Sequence, residues 1–261
     1  MASKPYTDDV YRPKRIPKNP IKFKLQLNEE QKQAKSIVLE NTITLLAGRA
    51  GSGKTLLACN VALDGLLRRQ YEKIIITRPT VSKEEIGFLP GDLREKMDPW
   101  VQPIYQNFYS LYDKVKIEKL ISDGKIEIVP VSFMRGRTFL DSMIIVDEAQ
   151  NVTHEQMEMI TSRIGLRSKM MICGDDYQID LKNRGDSGFK FLYTASKRVK
   201  NLGSVTLFNN HRDPIVDDLL DFYANELQHH PYSTFSGSKG RWYIYNKQNI
   251  KLTIKKTNKW D

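Results

Sequence analysis

Apolar positions along the chain fall into short runs separated by longer amphipathic stretches. Segments 42–47, Lys73–Thr77, 126–129, 143–146, 169–173 and 205–208 are mostly aliphatic or β-branched, the pattern of strands buried on both faces. Between them the periodicity changes to that of helices. One helix is predicted over Glu29–Glu40, with Asn28 as its cap. A second runs from a glycine-rich segment to about residue 70, and residues 84–120 read as mostly helical with breaks at Pro90-Gly91 and Pro99. Residues 213–228 form an amphipathic pattern, with Pro214 at the first helical position and Ile215, Val216, Leu219, Leu220, Phe222, Tyr223 and Leu227 on one face. Strands alternating with helices predict an α/β fold with a mostly parallel sheet. Beyond Pro231 the alternation of residues 242–245 and 250–254 about a polar turn predicts a β-hairpin.

The 261 residues suit one large α/β domain or two small ones. Pro5, Pro13, Pro17 and Pro20, with few aliphatics between them, make residues 1–24 an extended arm. A core is expected over 25–235 and a separate tail over 236–261. No apolar run approaches the ~18 residues of a membrane helix, and the first residues lack the apolar stretch of a secretory signal. Cys59 and Cys173 are too few for a disulfide framework or a structural zinc site. These features predict a cytoplasmic protein with reduced thiols.

Net charge is +10, and its placement carries more information than its size. Residues 1–24 carry +5 and residues 237–261 carry +6, while the 212 residues between them sum to −1. Basic tails on a near-neutral core suit a nucleic-acid partner, or serve solubility alone. In the C-terminal tail, Arg241, Trp242, Tyr243 and Tyr245 combine charge with aromatic rings suited to base stacking. Tyr105, Phe108, Tyr109 and Tyr112 recur at helical spacing, which fits packing into a core or a base-stacking platform.

Gly48-Arg49-Ala50-Gly51-Ser52-Gly53-Lys54-Thr55 matches the phosphate-binding P-loop pattern in full. Its glycines let backbone amides turn toward a β-phosphate, Lys54 reaches the β- and γ-phosphates of ATP, and the Thr55 hydroxyl can ligate Mg²⁺. The helix that follows directs its positive N-terminus at the anion. The aliphatic run Met143-Ile144-Ile145-Val146 ends in Asp147-Glu148, placing Asp147 at the sheet's C-terminal edge as a second metal ligand and Glu148 as the group that orients or deprotonates water. Gln178, in Gly174-Asp175-Asp176-Tyr177-Gln178, follows another strand and is placed to contact the γ-phosphate. Gln31 has two readings: an adenine contact, or the partner of Asn28 in a capping box. Arg135 and Arg137 are candidates for phosphate or nucleic-acid contact.

These motifs resemble the PhoH family of ATPases, relatives of superfamily 1 helicases. Thr77-Arg78-Pro79, Ile86-Gly87-Phe88-Leu89-Pro90-Gly91-Asp92-Leu93 and Phe133-Met134-Arg135-Gly136-Arg137-Thr138 carry the resemblance over about residues 25–228. It implies a single RecA-like P-loop NTPase core acting on RNA or single-stranded DNA. In Asn210-His211-Arg212-Asp213-Pro214 the arginine follows the histidine, where the family usually has it directly before histidine or proline. Helicases of that superfamily receive an arginine from a second core. With one core expected here, the resemblance implies a homo-oligomer, most simply a hexameric ring, in which Arg212 acts across the interface. Two other readings are a nucleotide-dependent binding switch that unwinds nothing and a small-molecule kinase. The Asp147-Glu148 pair with Gln178 argues against the kinase, because a glutamate there favours attack by water.

Overall fold

The structure, a computed structural model, describes residues 21–79, 93–209, 213–216, 218, 219, 222, 234–238, 241–245 and 251–254. The chain divides into two units, Met1–Asn209 and Asn210–Asp261.

In the first unit, α1 (Glu29–Glu40) opens with a reciprocal cap in which Asn28 Oδ1 accepts from Gln31 N at 2.8 Å and Gln31 Oε1 accepts from Asn28 N at 3.2 Å. The chain continues through β1 (Ile43–Gly48), α2 (Lys54–Leu67), β2 (Lys73–Thr77), α3 (Leu93–Leu111), α4 (Lys114–Ser122) and β3 (Ile126–Ile128). There follow β4 (Ser142–Val146), α5 (His154–Thr161), β5 (Lys169–Gly174), α6 (Gly188–Ala195) and β6 (Leu202–Leu207). The six strands lie in the order β3-β2-β4-β5-β1-β6, and all of their pairings are parallel.

Period-2 alternation decides which layer each strand residue joins. Leu46, Ile74, Ile76, Met143, Ile145 and Met171 pack with α1, α2, α3 and α4. Leu45, Ile75, Ile144, Val146, Met170 and Ile172 face the opposite way, toward Met157 and Ile160 of α5 and Phe189 of α6. Every residue of β4 is buried, as expected for a central parallel strand. The periodicity did not single out α5 or α6 individually.

Pro99 does not break the helix as the sequence suggests: α3 runs through both Pro99 and Pro103. An interior proline costs about 3 kcal/mol by removing a hydrogen bond and crowding the preceding turn. Val101, Ile104, Phe108 and Leu111 of the same helix are buried, and at ~1.5–3 kcal/mol each their burial offsets that cost. The chain turns instead at Asp113, whose carboxylate caps α4 by accepting from Lys116 N at 3.0 Å. Of the four aromatics at helical spacing, Phe108 is fully buried and Tyr112 packs against the core. Tyr105 and Tyr109 line, with Phe133 and Arg137, a groove of about 720 Å³ beside β3.

Helices α1 and α2 are joined by an ion-pair cluster: Asp64 accepts from Lys35 Nζ at 2.8 Å and from Arg68 Nε at 2.7 Å. Burial alone would raise the Asp64 pKa, but the hydrogen bonds and charges of Lys35 and Arg68 outweigh it and hold the carboxyl below its ordinary value. The cluster's contribution is therefore present above the ordinary Asp range and lost as pH falls through the lowered pKa. Asp64→Asn is expected to cost about 1 kcal/mol at neutral pH, discounted for partial solvent exposure. Thermal melts of parent and variant should differ down to about pH 5 and converge below about pH 3.

The second unit contains a three-stranded antiparallel sheet of β7 (Thr234–Ser238), β8 (Arg241–Tyr245) and β9 (Lys251–Ile254), in the order β7-β8-β9. Strands β8 and β9 form the expected hairpin, and β7 adds a strand that the sequence pattern did not announce. In its first part Pro214 opens a short helical stretch, with Val216 N donating to Asp213 O at 2.9 Å. Most of the 1–24 arm, the Pro90-Gly91 break, Arg212 and much of the 213–228 helix lie outside the described residues.

Candidate active site

Strand order assembles the site. The P-loop follows β1, Asp147 follows β4, and the loop 175–178 follows β5, which lies between them. All three strands are parallel, so their C-terminal ends share one edge of the sheet.

The P-loop needs its glycines for definite reasons. Gly51 and Gly53 have φ of 89° and 80°, left-handed values that cost L residues energy, and Gly53 caps α2 in that conformation. A Cβ on Gly48 would lie 2.6 Å from both Leu207 O of the adjacent strand and Ser52 Oγ. Lys54 Nζ donates to the carbonyls of Gly48 at 2.7 Å and Arg49 at 2.9 Å, which holds the ammonium over the loop. The Arg49 guanidinium lies 4.8 Å from the Tyr177 ring centroid, linking the P-loop to the loop after β5.

Thr55 Oγ1 donates to Asp147 Oδ1 at 2.7 Å, joining the two motifs predicted to share a metal. Asp147 is 6% exposed, and its N–H is held by Thr77 O at 2.8 Å. Burial, reinforced by the neighbouring Glu148 charge, raises the Asp147 pKa despite the opposing Thr55 hydrogen bond and Arg78 charge. A desolvated carboxylate beside a hydroxyl is a hard-oxygen pair that fits Mg²⁺, with phosphate and water completing the six ligands. Among the described residues no cluster of three or more His, Cys, Asp or Glu offers a competing metal site.

Glu148 sits at φ 50°, a left-handed conformation uncommon for a non-glycine residue and one that concentrates at functional sites. Its carboxylate accepts from Gln150 Nε2 at 2.8 Å and lies 3.7 Å from Arg78 Nη2. Gln150 is buried, and its Oε1 accepts from Asp175 N at 3.1 Å. One amide thus ties the candidate base to the loop carrying Gln178. The sequence reading assigned no role to Gln150 or Arg78, although both lie within quoted motifs. Their signal was proximity in sequence to Asp147 and to the end of β2.

The other candidates are placed less uniformly. Gln178 is on the loop after β5 with an exposed side chain, and its backbone N–H donates to Asp175 O at 3.1 Å. The capping-box geometry of Gln31 is formed, so its carbonyl oxygen is engaged locally. Arg135 is exposed, whereas Arg137 pairs with Glu127 of β3 at 2.9 Å and lies over the Phe139 ring. Arg241, Trp242, Tyr243 and Tyr245 all belong to β8, in the second unit. Cys59 and Cys173 are fully buried, and burial, with the Asp147 charge adding to it, pushes both thiols well above their ordinary pKa. That makes them packing groups rather than nucleophiles.

Fold and site together define a RecA-like P-loop NTPase core. The large terminase of a thermophilic bacteriophage superposes with a TM-score of 0.50 at 11% identity, covering 85% of this chain and 65% of that one. A profile for the PhoH-like proteins matches residues 25–224, and the chain belongs to the PhoH family. It is 39% identical over 196 residues to a PhoH-like protein of Synechocystis, covering 74% of this chain and 60% of that protein. Against the PhoH-like protein of Mycobacterium tuberculosis the identity is 41% over 197 residues, 74% of this chain and 56% of the relative. The chain spans 47% of Escherichia coli PhoH, at 36% identity over 167 residues that make up 63% of this chain. Among the described residues no helix is long and apolar enough to cross a membrane.

Proposed function

We propose that the protein hydrolyses Mg²⁺-ATP and couples the hydrolysis to binding or remodelling RNA or single-stranded DNA. The observation that carries the hydrolytic half is the 2.7 Å contact between Thr55 and Asp147, with Glu148 one residue beyond it. Mg²⁺ held by those two residues would neutralise charge on the β- and γ-phosphate oxygens. Lys54 exchanges its contacts with the loop carbonyls for phosphate oxygens, and the P-loop amides cradle the β-phosphate. Glu148 orients the attacking water and accepts its proton, with its carboxylate aimed by Gln150 and Arg78. Gln178, at the end of the adjacent loop, is the candidate sensor of the γ-phosphate. A homo-oligomeric ring with Arg212 supplied in trans is the assembly this reading expects.

The nucleic-acid half rests on charge placement and on the basic, aromatic strand β8. Each phosphate neutralised by Lys or Arg releases counterions, so log affinity for a single strand should fall against log salt with a slope of ~0.7 per contact. The test measures ATPase rate and affinity with and without RNA or single-stranded DNA across salt concentrations, in the parent and after deletion of residues 237–261. The truncated protein is expected to bind more weakly with a flatter slope and an unchanged basal rate. If the parent neither binds these polymers nor responds to them, the coupling is wrong. If only the deletion has no effect, the tail is not the contact.

A further inference from the structure

The groove beside β3 takes no part in the hydrolytic machinery. Among the described residues its walls include the rings of Tyr105 and Tyr109 from α3 and of Phe133. The carboxylates of Glu118 on α4 and Glu127 on β3 line it as well, with the guanidinium of Arg137. Tyr105 and Tyr109 stand one helical turn apart, ring centroids separated by 6.4 Å, and Phe133 is 56% exposed. Glu127 accepts from Arg137 at 2.9 Å, while Glu118 meets Lys114 at 3.7 Å on the surface. A carboxylate has about four acceptor sites, so both retain capacity for a further cation. Rings flanked by carboxylates suit a basic, proline-bearing segment.

The described part of the chain begins beside this groove. Lys24 N donates to Leu111 O at 2.9 Å, and Lys24 Nζ donates to Tyr109 O at 3.3 Å. Phe23 meets the Tyr112 ring edge-on, with centroids 6.2 Å apart. Residues 1–20 therefore join the core at the last turns of α3, where Tyr109 lines the groove. Their sequence repeats with a period of three. Tyr11, Lys14, Pro17, Pro20 and Phe23 form one series, and Arg12, Arg15, Lys18 and Lys24 fall one position later in the same register. A polyproline II helix has three residues per turn and rises 3.1 Å per residue, so the first series becomes a ridge and the second a basic edge. Pro17-Lys18-Asn19-Pro20 has the spacing that seats two prolines in an aromatic groove. Phe23, the last member of the ridge, already rests on α3. Pro20 precedes it by ~9 Å and Pro17 by ~19 Å, enough to pass the ~10 Å of helix between Tyr112 and Tyr105. Neither proline has an amide hydrogen, so this segment is unsuited to extending β3 as another strand.

We propose that residues 11–20 of this chain occupy the groove as a polyproline II segment. Pro17 and Pro20 lie against Tyr105, Tyr109 and Phe133, and the neighbouring arginines and lysines meet Glu118 and Glu127. The arm is then a ligand of its own core, and its cations are engaged there rather than on nucleic acid. Nothing in this depends on nucleotide binding.

The test uses the full chain carrying Pro17→Ala and Pro20→Ala, which vacates the groove, and a fluorescein-labelled peptide of residues 10–22 as the probe. Fluorescence anisotropy is expected to show the probe binding this variant about tenfold more tightly than the parent. A groove filled nine-tenths of the time by its own arm lowers apparent affinity by that factor. Adding Phe133→Ala to the variant should weaken the probe by about tenfold or more, with little change in the thermal melt because the ring is exposed. A probe of equal charge in which both prolines are alanine should bind at least about tenfold more weakly than the original. Equal binding to parent and variant, indifference to Phe133→Ala, or equal binding of the two probes would each overturn the inference. So would failure of the probe to bind the vacated groove. If a single-stranded RNA oligomer binds the parent, loses affinity on Phe133→Ala, and the probe does not bind, the groove is a nucleic-acid contact and the inference falls.

Discussion

Glu148→Gln is expected to lower the ATPase rate by ~10²–10⁴-fold, the usual loss on removing a positioned general base. ATP affinity should stay near that of the parent, because Lys54, the P-loop amides and the Thr55–Asp147 pair are untouched. Glutamine still accepts a hydrogen bond from Gln150, so the loop geometry is kept and only basicity and charge are lost. Steady-state turnover combined with retention of labelled ATP separates the effects. Weak binding and slow turnover together would indicate damage to the cradle, and parental turnover would remove Glu148 from the role of base.

Asp147→Asn is expected to stop Mg²⁺-dependent turnover and to stabilise the protein in the presence of a chelator. Burial and the adjacent Glu148 charge raise the Asp147 pKa, so the folded state holds this proton more tightly than the unfolded chain does. The sign follows: the favourable contribution is present below the ordinary Asp range and is lost as pH rises through the raised pKa. At neutral pH the parent therefore carries a buried, poorly solvated charge that asparagine does not, while the Thr55 hydroxyl can still donate to the asparagine oxygen. Each kcal/mol gained raises Tm by about 2–4 °C in a protein of this size. Melts in chelator should favour the variant at pH 7 and converge toward pH 4, near the unperturbed carboxyl. Adding Mg²⁺-ATP should reverse the order by stabilising only the parent. A variant that melts below the parent at pH 7 in chelator would show that Asp147 does structural work beyond its charge.

Much of this arrangement is legible in the sequence. Strands with aliphatic residues on both faces announce themselves, and Lys73–Thr77 and Glu29–Glu40 appear with the predicted bounds. The P-loop was readable because its chemistry is local: backbone conformation, cation and hydroxyl all come from eight consecutive residues. Pro99 misled because the cost of a proline is local while the burial of Val101, Ile104, Phe108 and Leu111 that offsets it comes from the rest of the fold. Arg137 reads from the sequence as a candidate for phosphate or nucleic-acid contact, while its pairing with Glu127 of β3 emerges only when the turn after β3 brings them together.

By itself the sequence determined the type of most elements of the first unit, the P-loop motif and the adjacent carboxylates, because backbone hydrogen-bonding period and glycine geometry are properties of neighbouring residues. Tertiary structure alone decided that β5 lies between β4 and β1, bringing Thr55 within 2.7 Å of Asp147 across 92 positions of chain. It also decided that Gln150 meets the backbone of Asp175, that Arg78 lies beside Glu148, and that the Glu30 carboxylate pins the backbone of Phe208 and Asn209. Each of these is a contact between segments that carry no mark of one another. Strand order follows from how two apolar faces pack against their helices, and that free energy belongs to the assembled sheet rather than to any one stretch of residues.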